Sequence, residues 1–127
     1  MTYQEALALV RTEFETLRMA PHCEVIRTNR TLDGCHSFPI TLYDRGDEII
    51  LNDLGETKEV FDEVEPTEWQ ELCESHGFQF DHWRIIRPFK GMQDLYDYID
   101  FMNFIADRFD PLDEDDYDIL YENEQQL

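Results

Sequence analysis

Positive charge is what this chain has least of: ten lysines and arginines stand against thirty aspartates and glutamates, a formal net charge of −20 over 127 residues. That shortage argues against a surface that holds nucleic acid or anionic membrane, since both need clustered bases. Glycine is scarce as well, at five residues, and the chain has no Gly-rich phosphate loop, no G-x-S-x-G and no H-E-x-x-H. Three cysteines, an odd number, do not make a secreted disulfide framework. No apolar run approaches the roughly 18 residues that span a bilayer. The start Met1-Thr2-Tyr3-Gln4-Glu5 lacks the basic and apolar stretches of a signal peptide. The expectation is a cytoplasmic protein with no membrane contact and no direct nucleic-acid contact.

What is present is enough for a core. The chain is 42% hydrophobic and 13% aromatic, with nine Phe and six Tyr, and its length is that of one domain. The charge is unevenly spread. Residues 1–45 hold six acids and five bases, and residues 46–127 hold the other 24 acids and five bases. Within the second part, 46–83 carries 12 acids and one base, 84–109 balances four against four, and 110–127 carries eight acids and no base. Two anionic blocks flank a neutral one. A domain this size needs a net charge of only about 2–8 for solubility, so the surplus points toward a cationic partner.

Local patterns place the elements. Thr2 and Glu5 form a capping box, and Leu7, Val10, Phe14 and Leu17 then recur at helical steps, which predicts a helix over 3–19. Cys23–Thr28 reads as a strand. Ser37–Tyr43 alternates with Phe38, Ile40 and Leu42 on one face, turns at Asp44-Arg45-Gly46-Asp47, and returns through Ile49-Ile50-Leu51 as an antiparallel hairpin. Residues 56–65 fit strand or helix equally. A helix begins at Pro66-Thr67, with Thr67 and Gln70 as a second capping box, Trp69, Leu72 and Cys73 on one face, and Gly77 at its end. Phe78-Gln79-Phe80 and Trp83–Ile86 form a second hairpin. The last helix runs over 92–109 with Leu95, Ile99, Met102, Ile105 and Phe109 as its apolar stripe. These readings make an α+β domain over 1–111, a small antiparallel sheet packed against two or three helices, followed by an acidic C-terminal segment over 112–127.

The order of elements, with Phe38-Pro39-Ile40, Asp44-Arg45-Gly46-Asp47-Glu48-Ile49-Ile50-Leu51 and Asn52-Asp53-Leu54-Gly55-Glu56-Thr57, resembles the bacterial and phage family called domain of unknown function 1828, over residues 37–109. Asn52 departs from the Thr or Ser of that pattern, and the acidic tail is an addition to it. The resemblance implies an α+β fold and a bacterial or phage origin, and it implies no activity.

Three residue groups are candidates for chemistry. Asp44, Asp47, Glu48 and Asp53 are the densest carboxylates and the kind of ligand Mg²⁺ takes, although Asp at a turn has an ordinary role in bonding its own backbone. Cys23, Cys35, Cys73 and His76 are zinc-ligand types without a recognised knuckle spacing. Arg84, Arg87 and Lys90 form a small basic patch, read as pairing internally with nearby acids. None of these sets requires a cofactor. The acids themselves are the better candidates: Glu63, Glu65, Glu68 and Glu71 in the first block, and Asp113, Glu114, Asp115, Asp116 and Asp118 in the tail. As a helix, the 18 tail residues would span about 27 Å and place their charges at about the 3.4 Å spacing of phosphates along one DNA strand.

The expectation is therefore a non-enzymatic, acidic binding protein. It would occupy the cationic surface of a nucleic-acid-handling enzyme by mimicking phosphate charge, as a phage inhibitor of anti-restriction or anti-CRISPR type does. An immunity or antitoxin protein against a basic toxin is the alternative, and a metal-dependent enzyme using Asp44, Asp47 and Asp53 is the second.

Overall fold

The computed structural model describes residues 1–109. The chain runs α1 (Tyr3–Arg11), β1 (Glu15–Ala20), β2 (Cys23–Arg27), β3 (Ile40–Asp44), β4 (Ile49–Asn52), α2 (Glu56–Val60), α3 (Pro66–Ser75), β5 (Gln79–Asp81), β6 (Arg84–Pro88) and α4 (Met92–Arg108). The six strands form one antiparallel sheet in the order β1-β2-β3-β4-β6-β5. The α+β reading holds, with four helices and a broader sheet than expected.

The largest departure is at the N-terminus. The Thr2–Glu5 capping box is present, but α1 stops at Arg11 rather than 19, and residues 15–20 are a strand. The Thr12 hydroxyl closes the helix by donating to the Leu9 carbonyl at 2.6 Å. Leu17, which extended the helical stripe in the sequence, lies opposite Val25 in the sheet and is 61% exposed. Helical spacing across 7–17 was coincidental, because strand pairing with β2 overrides weak local propensity. A buried carboxylate locks this corner. Glu24 on β2 accepts two bonds from Arg11 Nη2, at 2.9 and 3.1 Å, and one from the Thr16 hydroxyl at 2.8 Å.

Smaller departures have local causes. β3 begins at Ile40, just after Pro39, which has no N–H to give a ladder. α3 begins at Pro66, whose fixed φ suits the first helical position; Glu65 takes the cap position, so Thr67 lies inside the helix and the second capping box does not form. Gly77 ends α3 as expected. At φ +82° it lets its own N–H reach the Glu74 carbonyl and the Phe78 N–H reach that of Cys73, a Schellman closure. On α4, Tyr98 and Phe101 join Leu95, Met102 and Ile105 in the core, while Ile99 is only half-buried.

Strand register sorts the sheet into two faces. One row, including Ile26, Ile40, Leu42, Leu51 and Ile85, packs with the buried residues of α1, α3 and α4 in a single core around Trp69 and Tyr98. The other face carries the cross-strand row Leu17, Val25, Thr41, Asn52, Ile86 and Gln79. None of these six belongs to that core. Among the described residues, no helix is long and apolar enough to cross a membrane.

Candidate functional site

The carboxylates at 44–53 do not form a cluster. β3 and β4 pair with Asp44 opposite Ile49 and Thr41 opposite Asn52, so Asp44 and Asp53 sit at opposite ends of the hairpin, about 13 Å apart at 3.3 Å per residue. Asp44 Oδ1 accepts the Gly46 N–H at 2.8 Å, and Glu48 pairs with Arg45 at 3.7 Å. Asp53 is fully buried. Its oxygens accept the N–H groups of Gly55 at 3.0 Å, Thr57 at 3.3 Å and Ile85 at 2.9 Å, which ties the β4–α2 turn to β6. Burial raises its pKa, against the lowering effect of these donors. The turn demands left-handed backbone at Leu54 (φ 57°) and Gly55 (φ 79°), and a Cβ on Gly55 would lie 3.3 Å from the Trp83 carbonyl.

The sulfur and imidazole groups are also dispersed. Cys73 lies in the core, where burial pushes its thiol up to about 12, away from the thiolate a metal requires. Cys23 is buried outside that core, Cys35 is exposed, and His76 packs against Phe101 and Phe104. Among the described residues no three His, Cys, Asp or Glu side chains are placed to share a metal ion. In the basic patch, Arg87 is held by Asp94 at 3.0 Å and Asp97 at 2.9 Å, whereas Arg84 and Lys90 are exposed with no ion pair among the described residues.

The acidic residues of α2 and α3 do come together, as one surface. Glu63 and Glu65 lie in the connection between the helices, and Glu68 and Glu71 follow on the outer side of α3, while Trp69 and Cys73 point inward. Glu56, Glu59 and Asp62, in the stretch 56–65 whose sequence fits strand or helix, and Glu74 on α3 extend the surface at both ends. All eight acids between 56 and 74 are exposed, and only Glu68 has an ion pair among the described residues, to Arg108 at 3.9 Å. Lys58 is the single base in this stretch, and it is turned away to the Trp83 ring, 4.6 Å from its centroid.

Two cavities flank α2, with Val60 lining both. One, of about 450 Å³, is lined by Leu32, Asp33, His36, Glu56 and Glu59. The other, of about 250 Å³, is lined by Phe61, Asp62, Glu63, Glu68 and Phe109. In the first, the His36 ring stands 2.5 Å from Asp33. Burial alone would raise the Asp33 pKa, but the N–H groups of His36 and Cys35 and the His36 ring bring it down to about 2. Each cavity thus joins an apolar wall to carboxylates, a lining suited to the aliphatic stem and charged head of a basic side chain. The tail acids Asp113, Glu114, Asp115, Asp116 and Asp118 lie outside the described residues.

The other face of the sheet is different. Register leaves only Glu15 and Arg27, directly opposite each other, and Asp81 and Arg84, also opposite each other, as charged strand residues on that side. Among the described residues, the charge surplus is therefore concentrated on the α2–α3 side. No family model, no curated protein and no solved structure matches the chain.

Proposed function

We propose that this chain is a binding protein whose α2–α3 surface occupies a cationic site on a nucleic-acid-handling enzyme, with carboxylates standing where phosphates would stand. The observation that carries the reading is the row of eight exposed acids between residues 56 and 74, seven of them without an ion-pair partner among the described residues. Helix stability does not account for it. Acids favour the first turn of a helix and bases the last, yet α3 has no base in its last turn, which carries Glu74 instead. Such charges raise encounter rates with a basic partner and repel nucleic acid itself. A phage-encoded inhibitor of bacterial defence, of the anti-restriction or anti-CRISPR kind, fits the size, the charge and the family resemblance together.

The experiment is affinity capture from bacterial lysate with the full chain, repeated with excess duplex DNA and with the variant E63Q/E65Q/E68Q/E71Q. The expected result is a nucleic-acid enzyme whose capture is displaced by DNA and weakened in the variant. Capture of a small basic toxin would assign the immunity role instead. Capture that neither DNA nor the variant changes would overturn the electrostatic reading.

A further inference from the structure

A second feature lies between the end of α3 and the outer side of α4. Three phenylalanines form a stack there. Phe78 lies on Phe101 with centroids 4.5 Å apart and planes 11° apart, and Phe101 lies parallel to Phe104 at 6.4 Å. The inner end of the stack is closed by a guanidinium. Arg87 sits over the Phe78 ring at 5.1 Å, and two carboxylates spaced three residues apart on α4, Asp94 and Asp97, hold its nitrogens at 3.0 and 2.9 Å. The outer end is open. Phe104 is 38% exposed, beside an open cavity of about 340 Å³ that Asp100 and His76 also line.

The outer end repeats the chemistry of the inner one. Asp100 lies four residues before Phe104 and Asp107 three residues after it, so both share its side of α4. Both are exposed, and neither has an ion-pair partner among the described residues. Arg108, the one base on α4, is directed to the Phe109 ring at 5.5 Å and to Glu68. His76 covers part of the Phe104 ring at 4.6 Å and leaves the rest to solvent.

We propose that the open end of this stack receives an arginine side chain of the protein partner, its guanidinium lying on the Phe104 ring and pairing with Asp100. The occupant is arginine rather than lysine for a physical reason. A planar guanidinium stacks on an aromatic face while directing its N–H fork at a carboxylate beside it, whereas an ammonium is a compact, strongly hydrated point charge. The Arg87 end shows that arrangement already formed within this chain. The proposal rests on the reading that the partner is cationic, and it adds a residue preference that diffuse charge attraction does not supply.

The test titrates the full chain with an arginine hexapeptide and a lysine hexapeptide of equal charge, at physiological ionic strength, followed by amide and aromatic NMR shifts. The expected result is about two- to fivefold tighter binding of the arginine peptide, with shifts at Phe104, His76 and Asp100. The preference disappears in Phe104→Ala, which keeps the net charge, and shrinks in Asp100→Asn, which keeps the ring; circular dichroism of both variants confirms an unchanged fold. Equal binding of the two peptides, or a preference that survives Phe104→Ala, overturns the arginine site and leaves the acidic-surface reading standing. Binding of neither peptide overturns both.

Discussion

Asp53 and Glu71 are equal contributions to a net charge of −20, yet the fold uses them in opposite ways. Asp53 is sealed in the interior, where its oxygens take three backbone N–H groups from two segments of chain. Glu71 stands in solvent among seven other acids and has no ion-pair partner among the described residues. A buried carboxylate organises backbone that has no other partner, so its removal strands polar groups in a dry site. An exposed carboxylate among like charges does no such work and costs a little repulsion. The difference separates acids that hold this fold together from acids that are free to meet something else.

The sharpest way to break the comparison is at Asp53. Replacement by Ala leaves three backbone donors unpaired, two of them buried, and is expected to cost about 3 kcal/mol or more, read as a drop in the urea midpoint at unchanged slope. A loss below about 1 kcal/mol would mean that water replaces the carboxylate and that the turn is not organised by it.

Next in size is Gly55, in the same turn. Its φ of +79° and the 3.3 Å approach to the Trp83 carbonyl predict that Gly55→Ala destabilises by about 1–2 kcal/mol. Gly46→Ala, at φ +97° with open space around it, tests the conformational part alone and should cost less than Gly55→Ala.

The exposed acids should behave in the reverse sense. The variant E63Q/E65Q/E68Q/E71Q is expected to keep the wild-type fold and to change stability by less than about 1 kcal/mol, toward greater stability at low salt, where repulsion is least screened. Thermal melts at low and high ionic strength measure it. A large loss of stability would show that these acids are structural after all.

The smallest effect separates two acids by the sign of their pH dependence. Asp33 is held at about 2, below an unfolded value near 4, so its stabilising contribution is complete above pH 4 and is lost as pH falls from about 4 to about 2. Asp53 is raised by burial, so its contribution is complete below the unfolded value and is lost as pH rises through the folded one. Stability against pH for Asp33→Asn and Asp53→Asn should therefore diverge from wild type in opposite directions across the acid range. Parallel curves would contradict the opposed environments of the two carboxylates.

Much of the fold was legible where a local rule has a single outcome. The Asp44–Asp47 turn between two apolar strands gave β3 and β4, the Gly77 stop gave the end of α3, and the long apolar stripe gave α4. The candidate site was legible in part. Glu63, Glu65, Glu68 and Glu71 are exposed, as are Glu56, Glu59, Asp62 and Glu74 in the same stretch. The Arg87–Phe78–Phe101–Phe104 stack left no mark in the sequence, because its members come from β5's approach, β6 and α4 and meet only after folding.

Composition and order fixed an acidic α+β domain with one aromatic core, since charge count, apolar content and turn residues are properties of the chain itself. Tertiary structure decided the rest. It made residues 15–20 an edge strand instead of a helical turn, because pairing with Cys23–Arg27 outweighs the helical spacing. It sent Asp53 inward and kept Asp44 at the surface, although both stand in turns of similar chemistry. A sequence states which groups are charged; whether a charge meets buried backbone donors, an opposite charge or open water depends on segments far apart in the chain, and that is settled only when they pack.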